Sequence, residues 1–504
     1  MINVIKWSLF LSILCTPLLA GNGAEVESSL SISAGSADYN GNQITLSDRV
    51  VIDHDIGTIN ADYIVLTPEN ERKKMRFAFL KMKDKVNLAL KDGGSLSCAE
   101  ADLDYLKLQG RFVASPEEKY VVYTESCATK TGQKIPLVVK SKEMNVQIEQ
   151  GKNEKNAKQS SYINEITATD NVSVNYNQDF MAASDYALYQ RVTPEEGEIT
   201  TKIPGLITLR MTDKEGSCNI TNRNGDLISA TQIQIDTIKK NLHFISPKGT
   251  LNLSRQEHID FSSDSMIWDD NRDLLVLRDH VLIGQKGIGN MTTDKEVNIY
   301  YYHVAGKKRI RSIETAGNTV LVYTDDETHL SHTLTSYGKI TIDQQNAKTT
   351  MESPKDDLGK VVEGKQVYFQ DYLGEIYADK VTLDYEHVDG SLKPLKVTLE
   401  GNVNLLNRSR VNREETEAFL QYAIADIVEF YPKKHLMMLT SYPKNRVLFF
   451  DKVNSLQVSA PTVKIIRDPL MKKESIQGIG DVRLNFIDQE FNKLKKHFSL
   501  DIER

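Results

Sequence analysis

A short pattern recurs along the chain: Gly, Asp or Asn in a turn, then a strand that opens on Val. It reads Asp48-Arg49-Val50-Val51-Ile52, Asp170-Asn171-Val172-Ser173-Val174, Asp279-His280-Val281-Leu282-Ile283, Gly401-Asn402-Val403-Asn404-Leu405 and Gly480-Asp481-Val482-Arg483-Leu484. Looser copies are Gly317-Asn318-Thr319-Val320 and Lys444-Asn445-Arg446-Val447. Repetition of so small a unit constrains architecture more than any single residue does. Each copy is too small to bury its apolar face alone and must stack on its neighbours.

A second cue alternates with the first. A small residue followed by Asp opens a strand at Ala37-Asp38, Ala61-Asp62, Ala101-Asp102, Ser263-Asp264, Ala378-Asp379 and Ala425-Asp426. The small residue suits a bend where a neighbouring backbone comes close, and the Asp can bond turn backbone. Between the cues the pattern has period two, as in Gln43-Ile44-Thr45-Leu46, Lys339-Ile340-Thr341-Ile342 and Lys396-Val397-Thr398-Leu399. That is the signature of half-buried strands, filled with β-branched residues. The reading is an all-β, strand-turn-strand unit stacked many times. Helical windows are scarce: Arg413 to Ile424, which reads equally as a strand approach, and Gln489 to Phe498.

The 504 residues suffice for one long array or a few ordinary domains. Polar or proline-bearing stretches at Gly151 to Ser161, Pro194 to Gly205 and Ser353 to Gly364 divide the chain into blocks at 30–150, 160–345 and 360–490, with a tail at 491–504. At ~11 residues per strand and turn there is room for ~44 strands. Two facing layers of ~22 strands at ~4.8 Å make a rod on the order of 100 Å long. Apolar residues are 40% of the chain, as expected where only alternate strand residues face inward. The net charge of -7 argues against nucleic-acid binding by counterion release.

The N-terminus reads as a secretory signal spanning 1–20: Lys6, the apolar stretch Trp7 to Leu19, then Ala20. It is too short to span a bilayer, which takes roughly 20 apolar residues. Cys15 follows Leu14, which is larger than the residue lipidation signals take, and this argues against a lipid anchor. Export implies an oxidising compartment, so Cys98 and Cys127 can form a disulfide, with Cys218 left over; three buried free thiols are the alternative.

The units Ala37-Asp38-Tyr39-Asn40-Gly41-Asn42-Gln43-Ile44-Thr45-Leu46 and Gly57-Thr58-Ile59-Asn60-Ala61-Asp62-Tyr63-Ile64-Val65-Leu66 resemble the OstA-like family. So does Gly374-Glu375-Ile376-Tyr377-Ala378-Asp379-Lys380-Val381-Thr382-Leu383 followed by Leu399-Glu400-Gly401-Asn402-Val403. The family includes the periplasmic lipopolysaccharide transport proteins LptA and LptC and the N-terminal part of LptD. The likeness is best at 37–66 and 374–484 and poor at 110–165 and 190–225. It implies a β-jellyroll, two antiparallel sheets opposed in a twisted V, carrying lipopolysaccharide across the periplasm with its acyl chains in an apolar groove. It also implies docking by edge-strand pairing to an LptD-like outer-membrane protein and an LptC-like inner-membrane protein, and self-association by the same means. The chain is well over twice the length of a typical LptA, so the resemblance leaves open a fused form or a paralogue with another lipid.

The residues themselves supply candidates for such a groove. Ile44, Leu46, Val50 and Ile52 share one strand face, as do Val397, Leu399, Val403 and Leu405. Two such faces make either a closed dry core or a lined cleft. Lipid A phosphates would favour basic rims, for which Lys307, Lys308, Arg309 and Arg311, and Arg408 and Arg410, are the densest clusters; solvated strand ends are the other reading. No phosphate loop, nucleophile elbow or zinc-protease motif is present in the sequence, and His329 and His332 lack an acidic third ligand. The expectation is a non-enzymatic protein without cofactor or metal. The rivals are an exported structural or adhesive repeat protein with a closed core, and a β-helix polysaccharide hydrolase.

Overall fold

Four of the five recurrent Val residues, Val50, Val172, Val281 and Val403, follow a pair of residues with left-handed backbone; Val482 follows one, Gly480 at 95°, and is exposed. The φ angles are 65° and 55° at Asp48 and Arg49, 62° and 54° at Asp170 and Asn171, 59° and 46° at Asp279 and His280, and 77° and 45° at Gly401 and Asn402. Asp84 and Lys85, at 60° and 54°, form another such pair, and it too is followed by a Val, Val86. Two left-handed residues in succession turn the strand sharply without ending it. The long strands Ile44–Asp53, Phe77–Leu90, Gln159–Tyr176 and Ser391–Arg408 bend here, and their pairing registers shift at the same points. At Asp48, Asp170 and Gly401 the repeat marks a corner inside a strand, whereas at Asp279, Gly317 and Lys444 it lies between two strands, as the sequence suggested. The Val after the corner points inward: Val50, Val86, Val172, Val281 and Val403 are all buried.

The second cue marks the neighbouring corner, and its Asp holds the left-handed residue of the next layer. Asp62 Oδ2 lies 2.8 Å from Lys85 Nζ, Asp264 Oδ2 lies 2.7 Å from His280 Nδ1, and Asn402 Nδ2 donates to Asp379 Oδ2 at 2.7 Å. Left-handed backbone costs a residue with a side chain roughly 1–2 kcal/mol, and these bonds offset part of it. Ala61 and Ala425 are the small residues directly opposite Val50 and Val403. At Gly401 a Cβ would stand 2.5 Å from Asp379 Oδ2, so the close approach adds to a left-handed φ that already favours glycine.

The computed structural model describes residues 31–54, 56–69, 77–91, 93–128, 134–152, 159–192, 203–213, 216–252, 258–285, 289–304, 307–324, 331–370, 374–388, 391–408, 419–452, 454–468 and 473–498. The proposed leader with Cys15, and Arg410, Arg413 and His329, lie outside them, as do the side chains of Lys307, Arg408 and Cys127. Within them are 39 strands, paired antiparallel throughout. The corners fold this sheet into two opposed layers. In the first layer Ile203–Arg210, Gln232–Asp236, Asn241–Ile245, Ser265–Asp269, Leu274–Arg278, Val297–Val304, Lys307–Ala316 and Lys339–Asp343 follow one another. In the second, Cys218–Asn222, Leu227–Ala230, Lys248–Asn252, His258–Ser262, Val281–Gln285, Gly289–Thr293, Thr319–Thr324 and Ser331–Ser336 do the same. At ~4.8 Å per strand each layer is on the order of 100 Å long.

Pairing crosses the intervals that divide the sequence into blocks. Glu143–Lys152 pairs Gln159–Tyr176, and Lys348–Glu352 pairs Lys380–Val388. One apolar cluster runs from Leu46 to Ile313 and a second from Ile340 to Ile465, with Leu321 and Ile342 packed against both.

Asp488–Phe498 is helical, as its sequence suggests. Its acidic first turn and basic last turn suit the helix dipole, and Glu490 Oε2 accepts the Ile487 N–H at 3.0 Å. Phe486, Phe491 and Leu494 pack on Tyr422, Ile424, Leu448 and Phe450, so the helix covers the outer face of the second layer. The window Arg413 to Ile424 is not helical where it is described: Phe419–Tyr431 is a strand. Both its faces are covered, Ala423 and Ala425 by the core and Tyr422 and Ile424 by the helix, which removes the period-two signal. Among the described residues no helix is long and apolar enough to cross a membrane.

Candidate functional site

Two rows of inward side chains run along the layers on the side away from the corners. In the first layer the row passes through Ile235, Leu242, Trp268, Leu275, Ile299 and Ile313, each directly opposite the next, and all are buried. It continues in register through Ile342, Thr349, Leu383, Val397, Phe430 and Met437, and there all but Thr349 are half-exposed. The second layer makes the same transition. Phe261, Ile283 and Met291 are buried, whereas Leu321, Leu334, Phe369, Ile376 and Leu405 are half-exposed. The interior is thus dry and closed up to the strand Lys307–Ala316, and apolar but open to solvent beyond it.

The candidate groove residues divide accordingly. Leu46, Val50, Leu399 and Val403 are at most 5% exposed and belong to closed core beside the corners, and Ile52, also buried, lies in the closed stretch of the second-layer row. Val397 and Leu405 lie in the open rows, and Ile44 is half-buried at the N-terminal end of the stack.

Polar contacts join the layers where the interior is closed. His54, beyond the end of Ile44–Asp53 in the second layer, meets Tyr105, beyond the end of Ser95–Asp104 in the first, with Tyr105 Oη 2.8 Å from Nε2. Glu125, on Val121–Ala128 in the second layer, accepts hydrogen bonds from Arg191 and Tyr189 of Phe180–Val192 in the first and from its own neighbour Tyr123. The Arg191 guanidinium also lies 5.0 Å from the Tyr162 ring centre. Burial and the adjacent Glu125 carboxylate push the Tyr123 and Tyr189 phenols up.

The third contact corrects the rim assignment. Lys308 is 2% exposed, and its Nζ donates to Asp226 Oδ2 at 2.6 Å across the interior. It stands 3.9 Å from the Trp268 ring centre and 5.0 Å from that of Tyr301, and Trp268 Nε1 donates to Tyr301 Oη at 2.9 Å. Asp226 also accepts the Asn252 N–H and an Asn222 Nδ2–H. Burial pushes the Lys308 ammonium below its ordinary value, and Asp226 opposes the shift. A lone charge in this place would be prohibitive, so pair and ring faces must act together. Of the remaining basic candidates, Arg309 and Arg311 are exposed, with Arg311 over Tyr300.

Beyond Lys307–Ala316 the charged pairs lie within one layer, as in Lys380–Glu352, Lys396–Glu429 and Lys433–Glu386, tie down the C-terminal helix, as in Arg446–Glu490, or sit at a corner, as in Arg446–Asp481. Among the described residues no ion pair joins the two layers at their free margins there.

The expected Cys98–Cys127 disulfide is not formed. Cys98 is a free buried thiol opposite Val86, whereas Cys127 lies opposite Ile135, near the far end of its strand. Register decides this: Leu96 opposes Tyr123, so six further residues of extended chain separate the two cysteines. Cys218 is free and buried too. Among the described residues no three His, Cys, Asp or Glu side chains are placed to hold a metal ion. His332 is stacked between the Tyr323 and Phe369 rings.

Compared with protein-family models and with curated proteins, the sequence gives no match.

Proposed function

We propose that the protein is an exported, periplasmic carrier of an amphiphilic lipid, lipopolysaccharide on the family resemblance, whose acyl chains lie between the two open rows. One observation carries this reading: facing apolar rows, continuous in register over many strands, are left half-exposed from Leu321 and Ile342 onward. Solvent-exposed apolar area of that extent is costly unless a ligand covers it. Burying one 14-carbon acyl chain contributes on the order of 10 kcal/mol at ~0.8 kcal/mol per methylene. Repetition of similar sites at strand spacing gives such a chain a path of nearly level energy.

The ends of the stack suit docking. Among the described residues Ser31–Ser33 and Ser36–Tyr39 are exposed throughout and pair only with Ile44–Asp53, and Lys473–Ile479 pairs only with Thr462–Asp468. Edges of this kind accept a strand from another chain. In this reading they take LptD-like and LptC-like partners or a second copy. The closed N-terminal stretch favours a second role as a rigid spacer.

The test is photo-crosslinking of purified lipopolysaccharide to benzoylphenylalanine placed at Ile376 or Leu405, with exposed Lys339 as control. Adducts are expected at the first two positions. A yield no higher than at Lys339 rejects the carrier.

A further inference from the structure

Among the described residues three polar contacts join the layers at their free margins, and all three lie in the part of the stack whose interior is closed. His54–Tyr105, Glu125–Arg191 and Asp226–Lys308 each join one layer to the other on the side away from the corners. We propose that these contacts are latches, which confine lipid to residues 319–479 and admit it to the N-terminal stretch only when they open. The proposal rests on the carrier reading above.

Chemistry and placement support it. An apolar core does not need a buried ammonium; packed hydrophobic side chains would close it as well. A hydrogen-bonded pair differs from such packing in being directional: it holds at one geometry and releases once water or a competing group reaches it. Lys308 lies on the last strand of the first layer whose inward row is closed, so this latch stands at the boundary between sealed and open interior. Its aromatic lining, Trp268 and Tyr301, together with Phe180 from the other layer at 5.4 Å from Trp268, gives an acyl chain an apolar wall once the pair parts.

The full-length chain is exposed to palmitate bearing a diazirine, and adducts are mapped by peptide mass spectrometry. In the native protein adducts are expected only within 319–479. Asp226→Asn should raise labelling within 218–316 by at least roughly tenfold, the response to about 1.4 kcal/mol of lost closure. Tyr105→Phe, which removes one hydroxyl and leaves the ring, should open 44–105 in the same way, and it serves if Asp226→Asn does not fold. Native labelling spread evenly over both stretches overturns the proposal, as does unchanged labelling in folded Asp226→Asn and Tyr105→Phe. If nothing labels any form, the carrier reading fails, and the latch is judged by acrylamide quenching of Trp268. Quenching must rise in Asp226→Asn, and an unchanged value rejects the latch as well.

Discussion

Single residues in this chain act through which layer they face, and Lys308 shows how narrowly that is decided. In a basic run it reads as solvated surface. Counting alternation back from inward Ile313 puts Arg311 and Arg309 inside and Lys308 outside. A register shift at Tyr300/Tyr301, opposite this stretch, reverses the count and turns Lys308 and Ile310 inward. No feature of the run itself announces the bulge, so this site was not legible in the sequence, whereas the burial of Val50, Val172, Val281 and Val403 was. Lys308→Met alone should cost ~3–5 kcal/mol in urea unfolding, because Asp226 is left buried without its cation. Adding Asp226→Leu should recover most of that loss; a double variant as weak as the single one would contradict the argument. The cysteines give a second check. Burial pushes the Cys98 thiol up to about 12 and that of Cys218 up to about 11. In a Cys15→Ser, Cys127→Ser background neither should react with iodoacetamide at pH 8, and both should do so in urea; rapid labelling without denaturant would refute their burial.

Among the elements, the strands were the most legible and the corners the least. Period two located Ile44–Asp53 and Lys339–Asp343 because one face of each is wet. The corners inside long strands, at Asp48, Asp170 and Gly401, read as turns because Asp-Asn and Gly-Asn favour positive φ in either setting. Asp84-Lys85-Val86 has the form of Asp48-Arg49-Val50 and bends its strand in the same way. Gly401→Ala should cost at least ~1–2 kcal/mol from backbone alone, and more from the clash with Asp379, read as a shift in the urea midpoint. The C-terminal helix is held by Leu494 and by Glu490, which accepts from Ser459 Oγ at 2.7 Å. Leu494→Asp should free the helix and make Lys493 and Lys496 trypsin-sensitive while the stack stays intact. Resistance equal to the native chain would show that the helix is held elsewhere.

At the scale of the whole molecule, continuous pairing predicts an extended particle. A compact globule of this length has a radius of gyration of about 23 Å; a rod on the order of 100 Å long gives roughly 30 Å. Small-angle scattering separates the two, and a value near that of the globule would disprove the continuous stack. The corner seam has a further consequence for how such a protein changes over generations. Each strand–corner–strand unit bonds only to the units before and after it. Duplicating or losing one disturbs two neighbours and leaves the rest of the interior as it was. Length can then drift in steps of ~4.8 Å per layer, tuned to whatever gap the molecule must span, while the sequence inside each unit is free to diverge.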